Sequence, residues 1–176
     1  MGWKMVRYFI IAFIAFFGCN PKVAQSHKNK GSTMRPLNYS ESIIQICKKV
    51  QDLTWRFEPL TYPEFEEIYL NPKIYLDSAL SFLSNSEFND VEFGTIVLSM
   101  HKLPLDDYML FTSKNFELLK EKQINVNQFI SVINGFYGND HFMKNKKSKI
   151  IQGFYKEILT DDLCPPELKE YIKEII

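Results

Sequence analysis

Residues 103–120 read LPLDDYMLFTSKNFELLK, and this stretch decides the fold class of the 176-residue chain. Pro104 fits the start of a helix, where its missing N–H costs nothing. Mostly apolar side chains then recur every three or four residues, which is the spacing of one helical face. The pattern predicts an amphipathic helix whose buried side carries Leu105, Tyr108, Met109, Thr112, Phe116 and Leu119.

The same spacing recurs on both sides of this segment. Asn38 and Glu41 resemble a capping box at the start of a helix that Glu58-Pro59 ends, with Ser40 as an alternative cap. Asn71-Pro72 and Asn125 are predicted to cap two other helices. Val91–Met100 resumes an apolar run that we count among the helices, although a buried strand would show a similar pattern, because Thr95, Ile96 and Val97 are β-branched. The remaining predicted helices are Pro63–Leu70, Ile150–Leu159 and Glu167–Ile176, and Gly135–Asp140 is predicted to be a turn.

About eight short helices with short connections indicate an all-α fold. Short connections place consecutive helices antiparallel, so we predict a compact stack of αα-hairpins over residues 39–176. The slight curl of HEAT-type solenoids is a variant of this arrangement. The sequence shows no clean period of 34 or of about 40 residues, so a repeat family is not indicated.

The first 19 residues, MGWKMVRYFIIAFIAFFGC, have the pattern of an export signal. Lys4 and Arg7 precede an apolar run from Tyr8 to Phe17, which is too short to cross a hydrocarbon layer of about 30 Å. Gly18-Cys19 at its end resembles the lipobox of bacterial lipoproteins. An uncleaved anchor and a plain secretory signal are the alternatives.

The lipobox resemblance implies cleavage before Cys19 and acylation of its thiol. Residues 1–18 would then be a lipoprotein signal peptide, and 19–38 a lipidated cysteine followed by a flexible tether rich in polar and basic residues. Asn20 carries no acidic retention signal, so the resemblance implies the periplasmic side of the cell envelope and, by preference, the outer membrane.

Charge is balanced over the whole chain, with 21 basic and 21 acidic residues, which argues against a nucleic-acid partner. The balance is uneven along the sequence, because residues 58–107 contain ten acidic residues against Lys73 and Lys102. An acidic face attracts basic partners, although a solvated outer face would show the same composition. The acidic residues that we predict to bind a basic partner are Glu64, Glu66, Glu67, Asp106 and Asp107.

These features favour a membrane-tethered, periplasm-facing binding module. In size, charge and location it is similar to the small helical immunity proteins that neutralise secreted toxins, although no motif carries that similarity. A structural subunit of an envelope assembly is a further alternative, in which Ile172, Ile175 and Ile176 would supply an exposed apolar patch.

The residues that carry catalytic chemistry are few. No histidine has a second histidine or cysteine two to four residues away, and no nucleophile or phosphate-loop motif is present, so we predict no metal, no cofactor and no identified catalytic residue. His101 is expected to compensate a helix C-terminus. The alternative function is a small ligand-binding or hydrolytic lipoprotein in which Asp140 and His141 line a cleft with Tyr108, Tyr137 and Tyr155.

Two further cysteines are predicted to differ in their surroundings. Cys47 lies on the apolar face of its helix and is expected to be a buried thiol. Cys164 precedes Pro165-Pro166 in a turn, where exposure is expected. A disulfide between the two is an alternative in an oxidising compartment.

Overall fold

A computed structural model describes residues 38–51, 62–138 and 149–176. Within these ranges the chain forms eight helices and no strand, which confirms the all-α prediction. The helices are α1 (Tyr39–Gln51), α2 (Pro63–Leu70), α3 (Pro72–Asn85), α4 (Asp90–Ser99), α5 (Leu105–Lys120), α6 (Val126–Gly138), α7 (Lys149–Thr160) and α8 (Pro166–Ile175).

The helices pack in two rows within the unit Leu37–Ile176. In one row α3 contacts α1 and α5, and in the other α4 contacts α2 and α6, which in turn contacts α8. The rows are joined by contacts between consecutive helices, namely α1 with α2, α2 with α3, α3 with α4, α5 with α6 and α7 with α8, and α1 also packs directly on α4. Contacts between each helix and the next but one are what a stack of αα-hairpins requires.

Helix α4 settles the one segment that the sequence left open. The Asn89 side chain accepts hydrogen bonds from the backbone N–H groups of Val91 (2.9 Å) and Glu92 (3.0 Å). The Glu92 side chain accepts from the Asn89 N–H (2.9 Å), which completes a capping box. Val91–Met100 is therefore almost entirely helical, and its last six residues are all buried.

Buried polar contacts fix the register of α1 against α4. The Ser99 hydroxyl donates to the Ile96 carbonyl (2.7 Å), so the Tyr39 hydroxyl donates to Ser99 Oγ (3.1 Å). The Thr95 hydroxyl donates to a backbone carbonyl in the same way, so the Cys47 thiol donates to Thr95 Oγ1 (3.4 Å). Because the Ser99 and Thr95 hydroxyls each donate one hydrogen bond and accept another, these polar groups are satisfied inside the core.

Helix α6 continues through the residues predicted to form a turn. Gly135–Gly138 is helical, so the turn prediction is wrong at least to Gly138. Gly135 leaves room for the Tyr108 side chain of α5, since a Cβ there would overlap the Tyr108 hydroxyl and lie 2.7 Å from Tyr108 Cζ. That hydroxyl donates to the Val132 carbonyl (2.8 Å) and ties α5 to α6.

The predicted helix caps differ in outcome. Asn38 and Asn125 accept from the N–H groups of Glu41 and Gln128, as predicted. Asn71 makes no side-chain cap for α3, because its Nδ2 donates to the Glu67 carbonyl (3.1 Å) at the end of α2 instead. The predicted extension of α1 to Glu58-Pro59 lies outside the described residues, as do the signal, Cys19 and the tether.

Candidate functional site

Helix α2 presents three predicted partner-binding acids in different ways. Glu66 is exposed, with no ion pair to another described residue. Glu67 is half-buried and its Oε1 accepts a hydrogen bond from Asn71 Nδ2 (3.2 Å). Glu64 is also half-buried, and its Oε2 is buried without a hydrogen-bond partner in the described structure. Of the three, only Glu66 is fully available to a partner.

The two acids in the first turn of α5 also differ in their exposure and contacts. Asp107 forms an ion pair with Lys73 Nζ (3.0 Å) and thereby joins α5 to the first turn of α3. Asp106 faces solvent, with no ion pair among the described residues. Both carboxylates follow Pro104, the N-cap of α5, where the helix dipole favours negative charge.

The wider acidic span keeps most of its charge on the surface. Between residues 62 and 107 there are nine acidic residues and two lysines, a net charge of −7. Lys73 is engaged by Asp107, and Lys102 Nζ lies 4.6 Å from the centre of the Tyr69 ring. No ion pair to a described residue neutralises the exposed acids Glu66, Asp77, Glu87, Asp90 and Asp106.

A shallow groove of about 400 Å³ lies between the second halves of α3 and α5. Its lining includes Ser84 and Asn85 on one side and Lys114 and Glu117 on the other. The Ser84 hydroxyl and the Asn85 amide donate within their own helix, to backbone carbonyls at 2.9 Å. An open groove of this kind suits a contact with a macromolecular surface better than an enclosed small-molecule site.

The alternative cleft around Asp140 and His141 loses two of its predicted members. Tyr108 is fully buried and Tyr155 is 3% exposed, so both belong to the core instead of lining a surface cleft. Their rings pack edge-on to Phe136, at centroid distances of 5.1 and 6.4 Å. Asp140, His141 and the Tyr137 side chain lie outside the described residues.

His101 does not act as a charged helix cap. Its ring lies edge-on to Tyr108, with the centroids 6.4 Å apart, and its Nε2 faces Gly135. Burial lowers the pKa of His101 to about 4, so the imidazole is neutral at pH 7. The prediction that His101 places a compensating positive charge at the end of α4 is therefore wrong. No group of three potential metal ligands occurs among the described residues.

Both described cysteines are buried and unbridged. Burial raises the pKa of Cys47, and it raises the pKa of Cys164 to about 11, so both thiols are protonated at neutral pH. Cys164 is 5% exposed and its thiol donates to the Pro165 carbonyl (3.5 Å), which corrects the expected exposure. The alternative disulfide between the two is not formed.

Two other sequence features have structural roles in the described part. Asp161, of the Asp161-Asp162 pair, accepts from the Leu163 N–H (2.7 Å) and contacts Lys120 Nζ (3.5 Å). Ile172 is fully buried and Ile175 is packed against the core, so of the three terminal isoleucines only Ile176 is largely exposed. The terminal helix thus docks onto the core without presenting a broad apolar patch.

No known protein-family model, curated protein or solved structure matches the chain. Among the described residues, no helix has both the length and the apolar composition needed to span a bilayer.

Three exposed surface residues are absent from the predicted binding site. Ile74 and Asp77 are exposed on α3, and Leu110 is exposed on α5. Each lies off the buried stripe of its helix. Attention to the apolar side chains that do not belong to a core-facing stripe would have found Ile74 and Leu110, because helical spacing assigns them to the outer face.

Proposed function

We propose that this protein is a membrane-tethered, periplasm-facing binding module that presents an acidic face to a basic protein partner, in the manner of an inhibitor or immunity protein. The observation that carries the proposal is the state of the exposed acids. Glu66, Asp77, Glu87 and Asp106 lie on the surface without an ion pair to any described residue, while both lysines of the same span are engaged.

Uncompensated surface charge of one sign suits recognition of the opposite charge. It raises the rate at which an oppositely charged protein arrives and orients that protein before contact. Exposed ion pairs add only modest stability, about 0–1 kcal/mol each, so an acidic face acts mainly through encounter and selectivity. The described core supplies a rigid support for this face, because the helices that carry it are packed on their opposite sides.

The lipobox resemblance supports the location that we propose. An acylated Cys19 would anchor the chain in a bacterial membrane, the outer membrane by preference, and residues 20–38 would hold the folded domain away from the lipid. We expect the chain purified from bacterial membranes to begin at Cys19 and to carry the mass of acyl chains. A Cys19→Ser chain that shows the same mass increase would contradict lipidation at this residue.

Affinity capture tests the binding function. The full-length chain in nanodiscs of a neutral phospholipid is exposed to secreted and periplasmic proteins at low salt, with empty nanodiscs as the blank. We expect one basic protein to be retained and then released as the salt concentration rises. A chain with Glu66→Lys and Asp106→Lys should lose that protein.

The matched control carries Glu157→Lys and Glu170→Lys, which reverse two exposed charges on α7 and α8. This control should retain the protein, because the reversed residues lie outside the acidic span. Equal capture by all three chains, or retention of no protein, would refute the proposed function.

A further inference from the structure

Three exposed aliphatic side chains lie next to the acidic residues of α2, α3 and α5. Leu70, Ile74 and Leu110 expose 54%, 65% and 45% of their surface. Leu70 is four residues after Glu66 on α2, so the two share a helix face. Ile74 is three residues before Asp77 on α3, and Leu110 is four residues after Asp106 on α5. Each exposed aliphatic residue therefore has an exposed acid beside it.

The contacts between α3 and α5 bring the pairs on these two helices to one surface. Lys73 of the first turn of α3 is bonded to Asp107 of the first turn of α5. Farther along, Ser81 and Ser84 of α3 line the same groove as Lys114 and Leu118 of α5. The two helices therefore run side by side in the same direction.

This register places residue 77 of α3 level with the turn of α5 that contains Leu110. Asp77 is therefore level with Leu110 on the neighbouring helix, before the groove begins. Ile74 lies one turn earlier on α3, and Leu70 precedes it at the end of α2. We call this surface the outer strip, and it consists of Leu70, Ile74, Asp77, Asp106 and Leu110.

We infer that the outer strip docks an amphipathic helix of the basic partner, with an aliphatic stripe on one face and lysine or arginine on both flanks. The inference rests on the proposed function and adds the class of segment that is recognised. Parallel helices with aliphatic residues between them form a seat for such a helix. The acids beside the strip are complementary to its flanking cations, and the aliphatic residues lose exposed surface on contact.

A designed peptide pair separates this inference from simple charge attraction. One fluorescein-labelled peptide is helical, with leucine on one face and lysine on its flanks, and the other has the same composition in scrambled order. Fluorescence anisotropy measures the binding of each to the full-length chain in neutral nanodiscs. We expect the amphipathic peptide to bind about tenfold more tightly, because only it can cover Leu70, Ile74 and Leu110 together.

Variants of the strip locate the binding. Ile74→Ser with Leu110→Ser should weaken the amphipathic peptide about tenfold, and Asp77→Asn with Asp106→Asn should weaken it about fivefold at low salt. The matched control is Ile150→Ser with Leu163→Ser, which removes two aliphatic side chains of similar exposure on and after α7. All these positions are on the surface, so the variants should keep the wild-type circular dichroism spectrum, and the control should bind within twofold of wild type.

The outcomes distinguish the inference from the function on which it rests. Equal, salt-sensitive binding of both peptides would overturn the docking of an amphipathic helix while leaving the acidic binding module intact. Binding of neither peptide, together with failure of the capture experiment, would overturn both. A dimer that forms without peptide and disappears in the Ile74→Ser, Leu110→Ser chain would assign the strip to a second copy of this protein and overturn the inference.

Discussion

Gly135→Ala tests the close contact between α5 and α6. The added Cβ would overlap the Tyr108 hydroxyl and lie 2.7 Å from Tyr108 Cζ and 3.2 Å from His101 Nε2. The Tyr108 ring is fully buried and packs against Phe111 and Phe136, so it has little room to retreat. We therefore expect the variant to lose the hydrogen bond from Tyr108 to the Val132 carbonyl.

The size of the effect follows from three contributions. Overpacking a core costs about 1–3 kcal/mol. A buried hydroxyl without a partner costs about 1–3 kcal/mol. Alanine in place of glycine inside a helix stabilises the folded state by about 1 kcal/mol. The expected net loss is about 1–5 kcal/mol in the free energy of unfolding, which lowers the urea midpoint by about 0.5–2.5 M at a slope of about 2 kcal/mol per M.

Urea unfolding followed by circular dichroism measures this loss, and Gly153→Ala is the matched control. Gly153 is exposed within α7, and a Cβ added there meets no atom within 4 Å, so the control should gain up to about 1 kcal/mol. Adding Tyr108→Phe to Gly135→Ala should cost less than the two separate losses together, because it removes the overlapping hydroxyl. Equal midpoints for Gly135→Ala and Gly153→Ala would refute the close-packing argument.

Three further predictions address other parts of the described structure. His101 has a pKa of about 4 when folded and about 6.5 when unfolded, so the unfolded state binds more protons between these values. Lowering the pH from 7 to 4 should therefore cost wild type about 3 kcal/mol more than His101→Gln in urea unfolding, and equal pH dependences would contradict a neutral, half-buried His101. Asn89→Ala removes the capping box of α4 and should cost about 1 kcal/mol in thermal unfolding, whereas Ser86→Ala, outside the cap, should change stability little. Cys47 and Cys164 should react with a thiol reagent only after urea is added, and rapid labelling of either residue in the folded chain would contradict its burial.

The elements that the sequence predicts best are those with one buried face. Helix α5 alternates buried and exposed residues at helical spacing, so its pattern is visible without any knowledge of its neighbours. Helix α4 is surrounded by α1, α2, α3 and α6, and its buried residues leave little polar face to create a period. That is why Val91–Met100 also fitted a buried strand, and only the Asn89–Glu92 capping box distinguishes helix from strand.

The remaining errors concern contacts between residues far apart in sequence. A glycine-containing segment is typical of a turn, but Gly135 serves close packing against Tyr108, which is 27 residues away. Tyr108 and Tyr155 were predicted to line a surface cleft, but both side chains are buried, Tyr108 in α5 and Tyr155 in α7, and they belong to the core. Helical spacing already placed Tyr108 on the buried side of α5, whereas nothing in the local sequence signals the close approach of Gly135 to Tyr108.

The candidate site was predicted by residue type and corrected by geometry. The acidic span was visible from composition, and Glu66 and Asp106 are exposed as a binding role requires. Glu67 and Asp107 instead contact Asn71 and Lys73, and the second of these contacts crosses from one helix to another. The ion pair between Asp107 and Lys73 depends on the packing of α3 on α5, which the sequence pattern does not reveal.

Zero-length cross-linking in intact cells tests the proposed binding face most directly. A carbodiimide couples a carboxylate to a lysine amine in direct contact, and mass spectrometry then identifies both residues. We predict cross-links from Glu66, Asp77 or Asp106 to the lysines of one basic partner, with Glu157 and Glu170 unmodified by that partner. Cross-links that join the partner to Glu157 or Glu170 instead of the acidic face, or no cross-linked partner at all, would contradict the account.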